Sequence, residues 1–289
     1  MNEETEPVSY VLTMTCPDRT GIVAAASGCL SDLGCFMTEA SYFADPGTVT
    51  FFCRQVFHIT DPNMDIDGVR AGFGAIAKKF QMDWQLHEQN AKTRLLIMVT
   101  KAEHCLNDIL YRYRSGTLNA DIPAIVSNHP DLKPLADWHG IPFHHLPVTS
   151  ETKAEQEARV LELFRNSGAD YLVLARYMQV LSAEMCEKLS GRAVNIHHSF
   201  LPGFKGARPY HQAHARGVKL IGATAHFVTQ DLDEGPIIEQ QVQRVDHTYT
   251  PEDLAAVGRE TESLVLSRAL GYLTEHRVLP NGSRTVVFR

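Results

Sequence analysis

From Arg94 onward, five short apolar runs, LLIMVT, IPAIVSN, PFHHLPV, YLVLAR and AVNIHH, alternate with stretches compatible with helix. Strands separated by helices are the signature of a parallel sheet wound on both sides. The expected architecture here is therefore α/β, with a doubly wound, mostly parallel Rossmann-like sheet. After it, KLIGATAHFV (219–228) and GPIIEQQVQRV (235–245) read as later, antiparallel strands, and 251–276 as a long amphipathic closing helix.

The first ninety residues follow a different rule. VSYVLTMTCP (8–17) is rich in β formers, and DRTGIVAAASGCLSDLG then offers Asp18 and Thr20 as caps for an apolar helix ending at Gly34. Two β-rich runs, 36–44 and 48–59, flank the turn ADPGT, and a helix over 65–80 and a strand over 82–88 complete the order βαββαβ. That order predicts a ferredoxin-like, four-stranded antiparallel sheet with both helices on one face. HEQNAKT (87–93) is polar and reads as a linker, so the expected domains are 8–88 and 94–289.

Composition narrows the partners. The 289 residues carry a formal net charge of −7, which argues against a broad electrostatic hold on nucleic acid or on an anionic membrane. Small molecules are the expected ligands. The six cysteines are scattered without CxxC spacing, MNEETEP lacks the build of a signal peptide, and no apolar run reaches membrane-spanning length. These features lead to the expectation of a reducing, cytoplasmic setting.

Chemistry concentrates late in the chain, in NIHHSFLPGFKGARPYHQA (195–213). Ligands of a doubly wound sheet bind outside the carboxyl ends of its strands, and Asn195 and His197, two apart at such an end, share one face. An Asn amide can hold a carbonyl oxygen while an imidazole moves a proton. The same pattern also suits a polar strand end that only fixes a loop. TQDLDEGPII (229–238) adds Asp231 and Asp233 before a Gly-Pro turn, a carboxylate source able to orient a histidine or bind a water. By strand alternation His198 points away from His197, in a packing or hydrogen-bonding role, and the i, i+3 histidines of HQAH (211–214) read as a solvated helix face rather than a metal pair. Lys205 and Arg208 are candidates for orienting the loop or meeting an anionic substrate tail.

N-I-H-x-S-x-L-P-x-F-x-G, followed some thirty residues later by D-x-G-P-I-I, resembles the 10-formyltetrahydrofolate-dependent formyltransferase superfamily, and the fuller runs around both motifs resemble its hydrolytic, deformylase branch. The resemblance covers essentially the whole chain. It implies a catalytic set of Asn195, His197 and Asp233, and a folate pocket walled by Met178, Val180 and Leu181 of RYMQVLS (176–182), with the backbone of 228–233, including Val228, Thr229 and Asp231, supplying amide-edge hydrogen bonds. CPDRTGIVAAASGCL resembles the first loop and helix of an ACT domain, which implies an amino-acid effector, glycine or methionine, near Asp18 and Gly21, and assembly into a homodimer or homotetramer. A purely oligomerising domain is the alternative. Glycinamide ribonucleotide transformylase carries a Gly-rich loop after its first strand, suited to cradling a phosphate. LLIMVTKAEHCLNDIL (95–110) has no glycine there and presents Glu103 instead, which points to water as the acceptor. The expected activity is hydrolysis of 10-formyltetrahydrofolate to formate and tetrahydrofolate, supplying formate for purine synthesis, without metal or cofactor. A transferase with another acceptor and a non-catalytic folate sensor are the rivals.

Overall fold

The computed structural model describes residues 7–202 and 209–289, which form two compact units. Elements of the first are β1 (Ser9–Pro17), α1 (Ile22–Asp32), β2 (Cys35–Asp45), β3 (Thr50–Ile59), α2 (Ile66–Phe80) and β4 (Asp83–Glu88). The sheet order is β2-β3-β1-β4, antiparallel throughout, the ferredoxin-like arrangement that the element order predicts. Leu12 and Met14 of β1 and Cys53 and Phe57 of β3 pack with Ile22, Ala26 and Leu30 of α1 and Val69, Phe73 and Ala77 of α2 in one core. Both helices therefore cover the same sheet face.

Helix starts differ in kind. Asp65 caps α2 by accepting from the Gly68 amide at 2.8 Å. Neither Asp18 nor Thr20 caps α1: Gly21 stands at its N-cap at φ 94, with no side-chain cap. The left-handed turn at Gly21, open to glycine alone at no steric cost, redirects the chain into the helix. Asp18 is instead tied to the β2–β3 turn, its amide donating to the Val49 carbonyl at 2.9 Å.

The second unit contains β5 (Thr93–Val99), α3 (His104–Ser115), β6 (Ala120–Ser127), α4 (Lys133–Trp138), β7 (Phe143–His145), α5 (Lys153–Asn166), β8 (Tyr171–Leu174), α6 (Ala183–Lys188), β9 (Ala193–His197), α7 (Pro209–Arg216), β10 (Leu220–Phe227), β11 (Ile237–Arg244) and α8 (Pro251–Thr274). Its seven strands run in the order β11-β10-β9-β8-β5-β6-β7. Strands β9, β8, β5, β6 and β7 are parallel, whereas β10 runs antiparallel to both β9 and β11. Because β5 has β6 on one side and β8 on the other, the winding reverses between β5 and β8.

The chain ends with β12 (Val278–Asn281) and β13 (Arg284–Val287), paired as a hairpin. Residues 275–281 and 286–289 belong with the first unit, so the second unit takes 92–274 and 282–285 rather than everything from 94 to the end. Arg54 explains the attachment. It is 1% exposed on β3, its Nη1 donates to Glu39 Oε1 at 2.7 Å, and its Nε donates to the Glu275 carbonyl at 3.1 Å. Arg277 meets the same Glu39 oxygen at 3.1 Å, and the His276 ring stacks on His87 at 3.7 Å. Among the described residues no helix is long and apolar enough to cross a membrane, and all six cysteines are free.

Candidate active site

The β9 strand ends in Asn195, Ile196 and His197, and its antiparallel neighbour β10 sets Asn195 opposite His226 and His197 opposite Thr224. The β10–β11 hairpin then returns over this end carrying Asp233. Three backbone features of DLDEGPII shape that return. Asp233 is left-handed at φ 59, a conformation that Asp tolerates better than most residues. Gly235 has no space for a side chain, since a Cβ there would lie 1.8 Å from the Phe227 carbonyl oxygen. The Phe227 amide donates to the Pro236 carbonyl at 2.9 Å and closes the loop.

Asp233 Oδ1 lies 3.2 Å from His197 Nδ1, so that nitrogen carries a hydrogen directed at the carboxylate. His197 is 7% exposed, and its Nε2 is buried with no partner among the described residues. His226, 2% exposed, donates from Nδ1 to the Phe227 carbonyl at 2.8 Å. In that tautomer its Nε2 accepts from Asn195 Nδ2 at 3.3 Å and lies 3.7 Å from Asp233 Oδ1. The Asn195 amide is thereby oriented, leaving its second N–H free for a ligand oxygen. Burial acts to raise the Asp233 carboxyl, but the hydrogen bond from His197 leads the effects that outweigh it and hold the group well below the usual carboxylate range.

These four side chains, Asn195, His197, His226 and Asp233, border a cavity of about 280 Å³. Every residue expected at the folate wall, Met178, Val180, Leu181, Val228, Thr229 and Asp231, lines the same cavity. Segment 176–182 is neither strand nor helix over most of its length; it crosses from the end of β8 to Ser182, which caps α6 by accepting from the Met185 amide. Met178 and Val180 are more than half exposed and Leu181 is buried, giving an apolar wall open to solvent on one side.

Other expectations divide. The exposed His211 and His214 lie on α7 as a solvated pair, and the exposed Asp18 and Gly21 lie in the first unit at the start of α1. Lys205 and Arg208 fall outside the described residues. His198 does not turn away: β9 ends at His197, strand alternation ends with it, and the two rings stack with centroids 4.7 Å apart. Burial, with Arg176 and His197 close by, pushes the His198 ring down to about 4, so it is neutral near pH 7. Glu103 is exposed at the start of α3, and the next residue, His104, is the one that reaches inward, to Glu262 Oε2 at 2.7 Å.

Sequence reasoning missed His226, Arg176 and Glu262. His226 had a signal only in the β9–β10 register, which sets it beside Asn195. His104, Cys105 and Glu262 bring three metal-ligand types within 4.8 Å, but Glu262 is already compensated by His104, by the Tyr210 hydroxyl at 2.8 Å and by Arg176 at 3.3 Å.

A model of the formyl transferase family matches residues 93–270. A formyltetrahydrofolate deformylase of Corynebacterium sp. (strain P-1) is 50% identical over 284 residues, covering 98% of this chain and 99% of that protein. The crystal structure of a Burkholderia mallei formyltetrahydrofolate deformylase superposes with a TM-score of 0.94 at 57% identity, covering 98% of this chain and 100% of that one. Glycinamide ribonucleotide transformylase 1 of Symbiobacterium toebii superposes with a TM-score of 0.66 at 28% identity, covering 71% of this chain and 98% of that one. On this sequence identity and this shared fold, the chain belongs to the formyl transferase family, within its formyltetrahydrofolate deformylase branch.

Proposed function

We propose that the protein hydrolyses 10-formyltetrahydrofolate to formate and tetrahydrofolate at the cavity bordered by Asn195, His197 and Asp233. The observation that carries the chemistry is the pairing of Asp233 Oδ1 with His197 Nδ1 at 3.2 Å, which leaves the buried Nε2 of the same ring unpartnered. A carboxylate held below its ordinary range is a weak base, so the water's proton goes to His197 Nε2 while Asp233 holds the ring and its developing charge. Water oxygen attacks the formyl carbon, and the free N–H of Asn195 holds the oxyanion. As the carbon–N10 bond breaks, His197 returns the proton to N10 and formate leaves. Met178, Val180 and Leu181 cover the flat pterin face, with Val228, Thr229 and Asp231 opposite.

The chemistry draws on side chains alone, without metal or cofactor, in the cytoplasm, and the formate supplies purine synthesis. The first unit, by its likeness to ACT domains, binds a small amino acid, glycine or methionine, near Asp18 and Gly21 and joins copies of the chain into a dimer or tetramer. Formate release from 10-formyltetrahydrofolate by purified protein, with no amine present, tests the central reading. Asn195→Ala, which removes one oxyanion donor, is expected to lower kcat by about 10²- to 10³-fold. Equal rates in the wild type and this variant would overturn the assignment.

A further inference from the structure

In a doubly wound sheet the crevice over the carboxyl ends of the strands at the switch point is where a ligand sits. Here that crevice, above β5 and β8, holds the chain's own side chains. Arg176 follows β8 at φ 63, a left-handed backbone that glycine adopts freely, Asn and Asp tolerate, and a long side chain such as Arg adopts only at a cost. Its side chain is 17% exposed, and its Nε lies 3.3 Å from Glu262 Oε2 of α8. Glu262, 1% exposed, also takes His104 Nε2 at 2.7 Å from the start of α3 and the Tyr210 hydroxyl at 2.8 Å from α7. Tyr210 reaches it because position 258 of α8 is glycine: a Cβ there would lie 1.9 Å from the Tyr210 hydroxyl oxygen. Beside this cluster, Thr100 at the end of β5 donates to Asn128 Oδ1 at 2.9 Å and accepts from the Met178 amide at 3.0 Å.

Arg176 is also a wall of the catalytic cavity, which it lines together with Asn195, His197 and Asp233. Its Nη1 donates at 3.0 Å to Nδ1 of His198, the ring stacked on His197. With the pterin on the side of Met178 and Val228, as proposed above, Arg176 occupies the approach to the formyl carbon over the switch point. A large side chain held in glycine's backbone conformation at that place, and fixed there by a buried carboxylate, has a use that outweighs its strain.

We propose that Arg176, braced by Glu262, restricts the formyl acceptor to water by filling the switch-point crevice beside Asn195 and His197; this rests on the hydrolytic reading above. Opening the crevice lets an amine take the place of water. The amine nitrogen bonds to the formyl carbon, the carbon–N10 bond breaks with its electron pair going to N10, and the proton lost by the amine goes to N10. The products are the N-formyl amine and tetrahydrofolate.

The test incubates 10-formyltetrahydrofolate with glycinamide as probe amine and quantifies formate, N-formylglycinamide and tetrahydrofolate by mass spectrometry. Wild type and Arg176→Lys, which keeps a long cation in the space, are expected to yield formate with only background formylglycinamide. Arg176→Gly is expected to raise the ratio of formylglycinamide to formate at least tenfold. The double variant Arg176→Gly, Glu262→Gln removes the carboxylate that the first change leaves without its cation, and keeps the test open if the single variant fails to fold. An unchanged ratio in a glycine variant that still releases tetrahydrofolate overturns the proposal. So does a folded glycine variant that releases no tetrahydrofolate, because Arg176 would then serve hydrolysis itself. Wild type that releases no formate overturns instead the hydrolytic reading, a separate outcome.

Discussion

At the scale of single residues, the site depends on which atom of each ring carries hydrogen. His226 spends its Nδ1 hydrogen on the Phe227 carbonyl and is left with an acceptor for Asn195, so one buried ring fixes the direction of the amide beside it. Replacing His226 with Leu keeps the bulk and removes that acceptor. The Asn195 amide is then free to rotate, and kcat is expected to fall about 10²-fold, the cost of a misplacement near 1 Å, with little change in KM for the folate. A variant that raises KM and leaves kcat alone would contradict this reading. Asp233→Asn makes a sharper case: the amide can present its NH2 to His197 Nδ1 and favour the wrong tautomer, and a loss of about 10⁴-fold in kcat is expected by analogy with other His–Asp pairs. Single-turnover formate release checks it, and a loss below tenfold would remove Asp233 from the chemistry.

At the scale of elements, the site is a product of one strand pairing and one hairpin. Sequence reasoning found both ends of this arrangement, since Asn195 and His197 stand at the end of an apolar run and Asp233 stands before Gly-Pro. It could not find His226, because nothing local to HFV distinguishes a ring paired across β9 from any other buried histidine; only the register does so. His198 went astray for a related reason, as the alternation rule holds inside a strand and β9 stops one residue earlier. Residue type makes Asp18 and Thr20 the expected caps of α1, whereas the left-handed turn at Gly21 decides the geometry. Gly235 is where the hairpin can be tested. A methyl group there meets the Phe227 carbonyl oxygen at 1.8 Å, the same oxygen that holds His226, so the hairpin has to move away from β10. Gly235→Ala is expected to cost roughly 1–3 kcal/mol in stability and nearly all activity. A variant with wild-type turnover and an unchanged melting temperature would show the hairpin to be slacker than its geometry requires.

At the scale of the whole molecule, each unit holds a half-buried histidine beside basic side chains. His198 lies with Arg176 and His197 in the second unit, and His276 lies with His87 and Arg54 in the first; burial is the main cause pushing each ring down to about 4 from an ordinary 6.5. The folded chain therefore binds fewer protons than the unfolded chain between these values. Stability from this source is fully present above pH 6.5 and is lost as the pH falls toward 4, with a slope of up to about 1.4 kcal/mol per pH unit for each ring. The depressed carboxylates Asp233, Glu262 and Glu39 add to the loss in the same direction but at lower pH, where unfolded carboxylates titrate. Sequence alone assigns the segment carrying His276 to the end of the catalytic domain, because no periodicity marks a tail that returns to an earlier sheet; Arg54 and Glu39, more than two hundred residues upstream, hold it. His276→Asn suits the left-handed backbone at φ 54 and removes the titrating ring. Calorimetric melting between pH 6.5 and 4.5 should then show a shallower acid decline for the first unit than wild type. Equal slopes in the two proteins would mean that the half-buried ring stacked on His87 does not carry the acid sensitivity of that unit.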